Sequence, residues 1–143
     1  MKNKIKNELE ILFYLIQNHK DFMIQGILST KRILDNTKNG ALEDLARECE
    51  NRQRLISIME KIQRKIEQLI INNQAQLRDN QLKNGVLNWQ KEYEAWIIDI
   101  DNLDQYILTL LTKEKDKTTQ EIATVFKNRQ SIQKYDLTNT KNK

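Results

Sequence analysis

The sequence predicts an all-α protein: an elongated antiparallel bundle of three long helices plus a short fourth C-terminal helix. Two observations carry that reading. First, the 143 residues contain no proline and only three glycines. Two of these, Gly40 and Gly85, each follow an asparagine and divide the chain into long pieces. Second, each piece carries apolar residues at alternating steps of three and four, the period of a helix with one buried face. Hydrophobic residues make up 38 % and charged residues 31 %. A compact α/β enzyme is usually more apolar and richer in Gly and Pro. A narrow bundle needs only about three apolar positions in seven.

The first helix is expected over about residues 3–36. Its seam reads Ile5, Leu9, Leu12, Ile16, His19, Met23, Gly26, Thr30, Ile33, widened by Leu15, Phe22, Ile27 and Leu34. Asn39-Gly40 supplies left-handed backbone for a turn, and a turn that short makes the next helix antiparallel. The second helix is expected over 41–83, about 65 Å if continuous. Its seam is Leu42, Leu45, Cys49, Arg52, Ile56, Met59, Gln63, Ile66, Ile70, Asn73, Leu77. Arg52, Gln63 and Asn73 interrupt it, which reads as a polar layer or bundle end that fixes register. Leu55, Ile62 and Leu69 form a second row at seven-residue spacing.

Asn84-Gly85 repeats the chemistry of Asn39-Gly40, so a second turn is expected there. The third helix, 86–112, has the cleanest seam: Trp89, Tyr93, Trp96, Ile100, Leu103, Ile107, Leu110. That seam stops at Lys113-Glu-Lys-Asp-Lys117. Thr118-Thr-Gln-Glu121 reads as a capping box for a fourth helix over 119–135. Residues 1–136 are expected to form a single domain, and 137–143, which lack periodicity, a disordered tail.

Charge is unevenly placed. Residues 113–143 hold eight Lys/Arg against four Asp/Glu, leaving sixteen of each sign in 1–112. A neutral body with a basic tail differs from the basic stripe of a nucleic-acid binder. The apolar run Ile11–Ile16 is too short for a signal-peptide core or a membrane span. One cysteine, Cys49, precludes an intrachain disulfide and fits a reducing, cytoplasmic location.

Catalytic and cofactor motifs are missing from the sequence. One His and one Cys do not make a zinc site by themselves, and no Gly-rich phosphate loop occurs. His19 invites comparison with phosphotransfer bundles, but Phe22 and Met23 stand where those place a Lys and a small residue, and His19 falls on the inward seam. The expectation is therefore no enzyme and no cofactor.

The fourth helix offers the remaining candidates. Ile122, Val125, Phe126, Ile132 and Tyr135 fall on one face, with Arg129 adding charge. Exposing such side chains forfeits about 1.5–3 kcal/mol each, so they are expected to bind a client or to mask the protein's own bundle.

At two segments the chain resembles the flagellar type III export chaperones of the FliT/FlgN group. The first is the joint Ile33-Leu-Asp-Asn-Thr-Lys-Asn-Gly-Ala-Leu-Glu-Asp-Leu-Ala-Arg-Glu-Cys-Glu-Asn-Arg-Gln-Arg-Leu-Ile56, anchored by Gly40, Leu42, Leu45, Arg52, Leu55 and Ile56. The second leads from Asp101-x-x-Asp104-x-x-Ile107 to Phe126-Lys-Asn-Arg-Gln-Ser-Ile-Gln-Lys-Tyr135. The resemblance implies a cytoplasmic chaperone for a helical segment of a flagellar axial subunit, filament-cap or hook–filament junction, with contacts to the export apparatus. It implies a protein client and neither a small-molecule substrate, nucleic acid nor membrane insertion; a homodimer is compatible with it. The alternative from the residues alone is a structural coiled coil or adaptor acting by self-association.

Overall fold

The computed structural model describes residues 2–113 and 117–128, with side chains from residue 7 onward. Helices α1 (Lys2–Asn39), α2 (Leu42–Asn72) and α3 (Asn80–Thr112) are followed by α4, residues 117–128. A single 3-10 turn, Gln76–Arg78, lies between α2 and α3, and no strand occurs among the described residues. No helix among them is long and apolar enough to cross a membrane.

Cross-helix pairs fix the directions. Asn73 Nδ2 donates to Glu8 Oε2 at one end of the α1–α2 pair, and Ser29 Oγ donates to Glu48 Oε1 toward the other, so these helices are antiparallel. Lys20 meets Glu92, and Lys38 lies over the Tyr106 ring, so α3 runs parallel to α1. Gln63 meets Tyr93 and Arg52 meets Asp104, which sets α2 antiparallel to α3. Both α2 and α3 pack mainly on α1.

The α1 seam is inward as the period predicts. Leu12, Ile16, His19, Met23, Gly26, Thr30 and Ile33 are all buried. Leu9 is half-buried, and the Ile5 side chain lies outside the described residues. At the first turn Gly40 has φ +67°, the only positive φ among the described residues. Gly40 N donates to Thr37 O at 3.4 Å and Ala41 N to Asn36 O at 3.0 Å. This pair of bonds is the Schellman closure of a helix by a left-handed residue.

The second reversal is not where the glycine suggested. α2 ends at Asn72, short of the expected 83. Asn73 turns its amide inward: Nδ2 donates to Leu69 O at 2.8 Å and to Glu8 Oε2 at 2.9 Å. Leu77 then buries itself in the far-end core. Asp79 caps α3 by accepting from Gln81 N at 2.9 Å, the role that short acidic side chains fill at helix starts. Asn84 and Gly85 therefore lie inside α3. A Cβ at Gly85 would stand 2.8 Å from Phe13 Cε1, so this glycine serves a close approach of α1 and α3 rather than a turn.

The α3 seam also shifts by one residue toward its end. Asp104 and Leu111 are buried where Leu103 and Leu110 were expected; the latter two are half-buried. Asp104 turns in because it has a partner there, Arg52.

The core is layered along the bundle. At the α2–α3 reversal, Leu12, Ile16, Ile66, Leu77, Val86 and Trp89 cluster. Met23, Met59, Trp96 and Ile100 form the middle. At the Gly40 end, Ile33, Leu45, Ile107 and Leu111 gather with Ala123 and Phe126 of α4. Thr118, expected ahead of the fourth helix as its cap, lies within the helical span 117–128. The rest of the expected fourth helix, residues 129–135, and the tail 137–143 lie outside the described residues.

Candidate functional site: the groove beneath the fourth helix

At the Gly40 end, α4 lies on an apolar groove lined by α1, α2 and α3. Leu42, Leu45 and Cys49 form the α2 wall, and Ile107, Leu108 and Leu111 the α3 wall, with Ile33 of α1 between them. Running back from the end of α3, α4 points the same way as α2 and brings Phe126 to the level of Arg52. Burial along it follows a helical period: Thr119, Ala123 and Phe126 are buried and Ile122 is half-buried.

The predicted face is thereby split. Phe126 is 3 % exposed and Ile122 packs at the edge of the same cluster. Val125 is 44 % exposed, at the rim beside Cys49 and Gln53. Arg129, Ile132 and Tyr135 lie outside the described residues. The groove-facing residues that the sequence reading missed are Thr119 and Ala123. A search for large apolar side chains passes over small ones, although the 119–123–126 spacing was there to be read.

Beneath Phe126 is an ion pair. Arg52 and Asp104 are both buried. Arg52 NH1 and NH2 donate to Asp104 Oδ1 and Oδ2 at 2.5 and 2.7 Å, a two-pronged pairing. Arg52 NH1 also donates to Thr30 Oγ1 at 3.1 Å, and that hydroxyl donates to Gly26 O at 2.8 Å. Three of the five guanidinium donors are thus directed at α3 and α1. The guanidinium carbon lies over the Phe126 ring, 4.6 Å from its centroid, a cation–π contact. The polar layer expected at Arg52 is therefore real, and it doubles as the groove floor.

Cys49, Arg52, Gln53, Val125 and Phe126 line a small, partly open pocket of about 20 Å³. Burial pushes the Cys49 thiol up to about 11, against the opposing pull of the Arg52 charge. The thiol is protonated at neutral pH and is a poor nucleophile.

His19 sits elsewhere, enclosed in the core. Trp89 Nε1 donates to His19 Nδ1 at 2.9 Å, and the Tyr93 ring stacks on the imidazole at 4.9 Å between centroids. Burial lowers its pKa to about 4. With Nδ1 accepting, the proton of the neutral ring lies on Nε2. A fully enclosed neutral ring is unsuited to exchanging phosphate with a second protein. Among the described residues no group of His, Cys, Asp and Glu is arranged to hold a metal ion. A second concavity, about 360 Å³, lies at the opposite end between Ile70, Leu77, Arg78, Lys83, Val86 and Leu87.

No protein-family model, no curated protein and no solved structure shows significant similarity to this chain.

Proposed function

We propose that this protein binds a helix of another protein in the groove that α4 occupies, as a chaperone of the flagellar export type. The observation that carries the reading is the seating of α4. A short helix reaches the groove floor with two fully buried apolar side chains, Ala123 and Phe126, plus the edge of Ile122. The Arg52 hydrogen bonds are made to α1 and α3, so lifting α4 leaves them in place. A helix laid in an apolar groove between two others is a recurrent recognition mode. An exchangeable one lets a partner compete for the same floor. The resemblance at Ile33–Ile56 and Asp101–Tyr135 makes a helical segment of a filament-cap or hook–filament junction subunit the client of choice.

The test is calorimetry with the helical terminal segments of those subunits, against the full chain and its Phe126→Ala variant. We expect saturable binding to one segment, tightened at least tenfold in the variant, because the competitor is weakened. Equal affinities would remove α4 from the mechanism, and no binding by either protein would remove the client class.

A second reading, self-association, draws on the outer faces of α1 and α2. Ile11 and Ile58 are 50 % and 43 % exposed there, beside the half-buried rows Leu15, Phe22 and Leu55, Ile62, Leu69. Light scattering at nanomolar concentration separates the two: a stable oligomer without any client favours self-association.

A further inference from the structure

The groove floor has a chemistry that selects what lies on it. Asp104 and Thr30 take three of the Arg52 donors, and the guanidinium carbon lies over the ring of the occupant, Phe126. Asp104 already neutralises the charge, so a second carboxylate would be surplus and would enter the groove at a desolvation cost. A guanidinium face is weakly hydrated and stacks well on a flat ring. An aliphatic side chain of similar volume fills the space but offers no π face.

The neighbouring position is equally restrictive. Ala123, one turn before Phe126, is 5 % exposed in the cluster with Ile33, Leu45, Ile107 and Leu111. A larger side chain there would hold the helix off the floor and lift the ring from Arg52. Ile122 beside it rests on the groove edge.

We infer that the groove recognises helices bearing an apolar–small–x–x–aromatic pattern, as in Ile122-Ala123-x-x-Phe126, with the aromatic ring read by the guanidinium of Arg52. This rests on the reading of the groove as an exchangeable helix site and specifies its partner: an amphipathic helix, uncharged on that stripe, with a ring three residues after a small side chain. Tyrosine and tryptophan offer a π face as phenylalanine does, so they are included.

The experiment uses the full chain carrying Ala123→Arg, in which its own α4 is unseated, with Phe126→Ala as a second host should the first misfold. The probe is a fluorescein-labelled synthetic peptide of residues 113–132, in versions with Phe, Tyr, Trp or Leu at position 126. By anisotropy the three aromatic versions should bind within threefold of one another and the Leu version at least tenfold weaker. In a host that also carries Arg52→Lys the gap should shrink to less than threefold. Equal binding of the Phe and Leu versions overturns the aromatic selection while leaving the groove itself standing. If no version binds although amide exchange shows residues 117–128 released in the host, both the selection and the exchangeable groove fall. Within the unmodified background, amide protection of 117–128 should follow the same order across Phe126→Tyr, Phe126→Trp and Phe126→Leu. A leucine variant protected as well as wild type also overturns the inference.

Discussion

At the scale of single residues, two buried polar sites govern how the protein responds to its surroundings. His19 accepts from Trp89 and is surrounded by aromatic rings, so its neutral form belongs to the fold. Its pKa is about 4 in the folded chain against 6.5 for the free side chain. The unfolded chain therefore takes up the proton first as pH falls. The contribution is intact above pH 6.5 and is lost progressively down to pH 4. Between pH 7 and pH 5 it amounts to about 2 kcal/mol. Urea titrations should show that loss, and His19→Gln should flatten it over the same window. The Arg52–Asp104 pair behaves differently. Asp104→Ala strands a buried cation and should cost about 3–5 kcal/mol, whereas Arg52→Met with Asp104→Leu should recover most of it. Chemical denaturation of the three proteins checks both statements. Arg52 was legible in the sequence as a polar interruption of an apolar seam. Its partner was not: Asp104 lies one position from Leu103, and helical period alone prefers the leucine. Only the three-dimensional pairing decides which of the two turns inward.

At the scale of elements, the glycines separate what the sequence can say from what it cannot. α1 was readable nearly residue by residue, because a long helix with one buried face repeats its signal many times. The reversal between α2 and α3 carries no such repetition. Asn84-Gly85 resembles Asn39-Gly40 as a dipeptide, yet Gly40 closes a helix at φ +67° while Gly85 lies within one. The true signals, Asn73 folding back on Leu69 and Asp79 capping α3, are single side chains inside an Asn/Gln-rich stretch. Two substitutions test the distinction. A Cβ at Gly26 would stand 3.0 Å from Trp96 Cζ2. Trp96 cannot yield easily, because its Nε1 donates to Met23 O at 2.8 Å and the ring is buried. Gly26→Ala should therefore destabilise by about 1–3 kcal/mol, although alanine gains roughly 1 kcal/mol in helix propensity. Gly85→Ala meets only the outer edge of half-buried Phe13, which can swing, and should cost less. Thermal melts rank the two. For α4, Phe126→Ala should speed amide exchange across 117–128 at least tenfold and leave the α1 and α3 cores protected.

At the scale of the whole molecule, a three-helix body carries most of the buried core, and the fourth helix covers its Gly40 end. The overall class was legible because proline-free periodicity leaves few other folds. The groove was not, since its lining comes from three helices that only tertiary packing brings together. This division has a practical corollary for anyone watching the cover move. Trp89 and Trp96 hold partners on α1, so intrinsic emission stays nearly silent when α4 lifts. Cys49 is better placed. It lines the small pocket beside Val125 and Phe126, and burial keeps its thiol protonated. Lifting α4 opens the half-buried sulfur further to water and eases its ionisation, so alkylation by iodoacetamide should serve as a clock for α4 release built into the native chain.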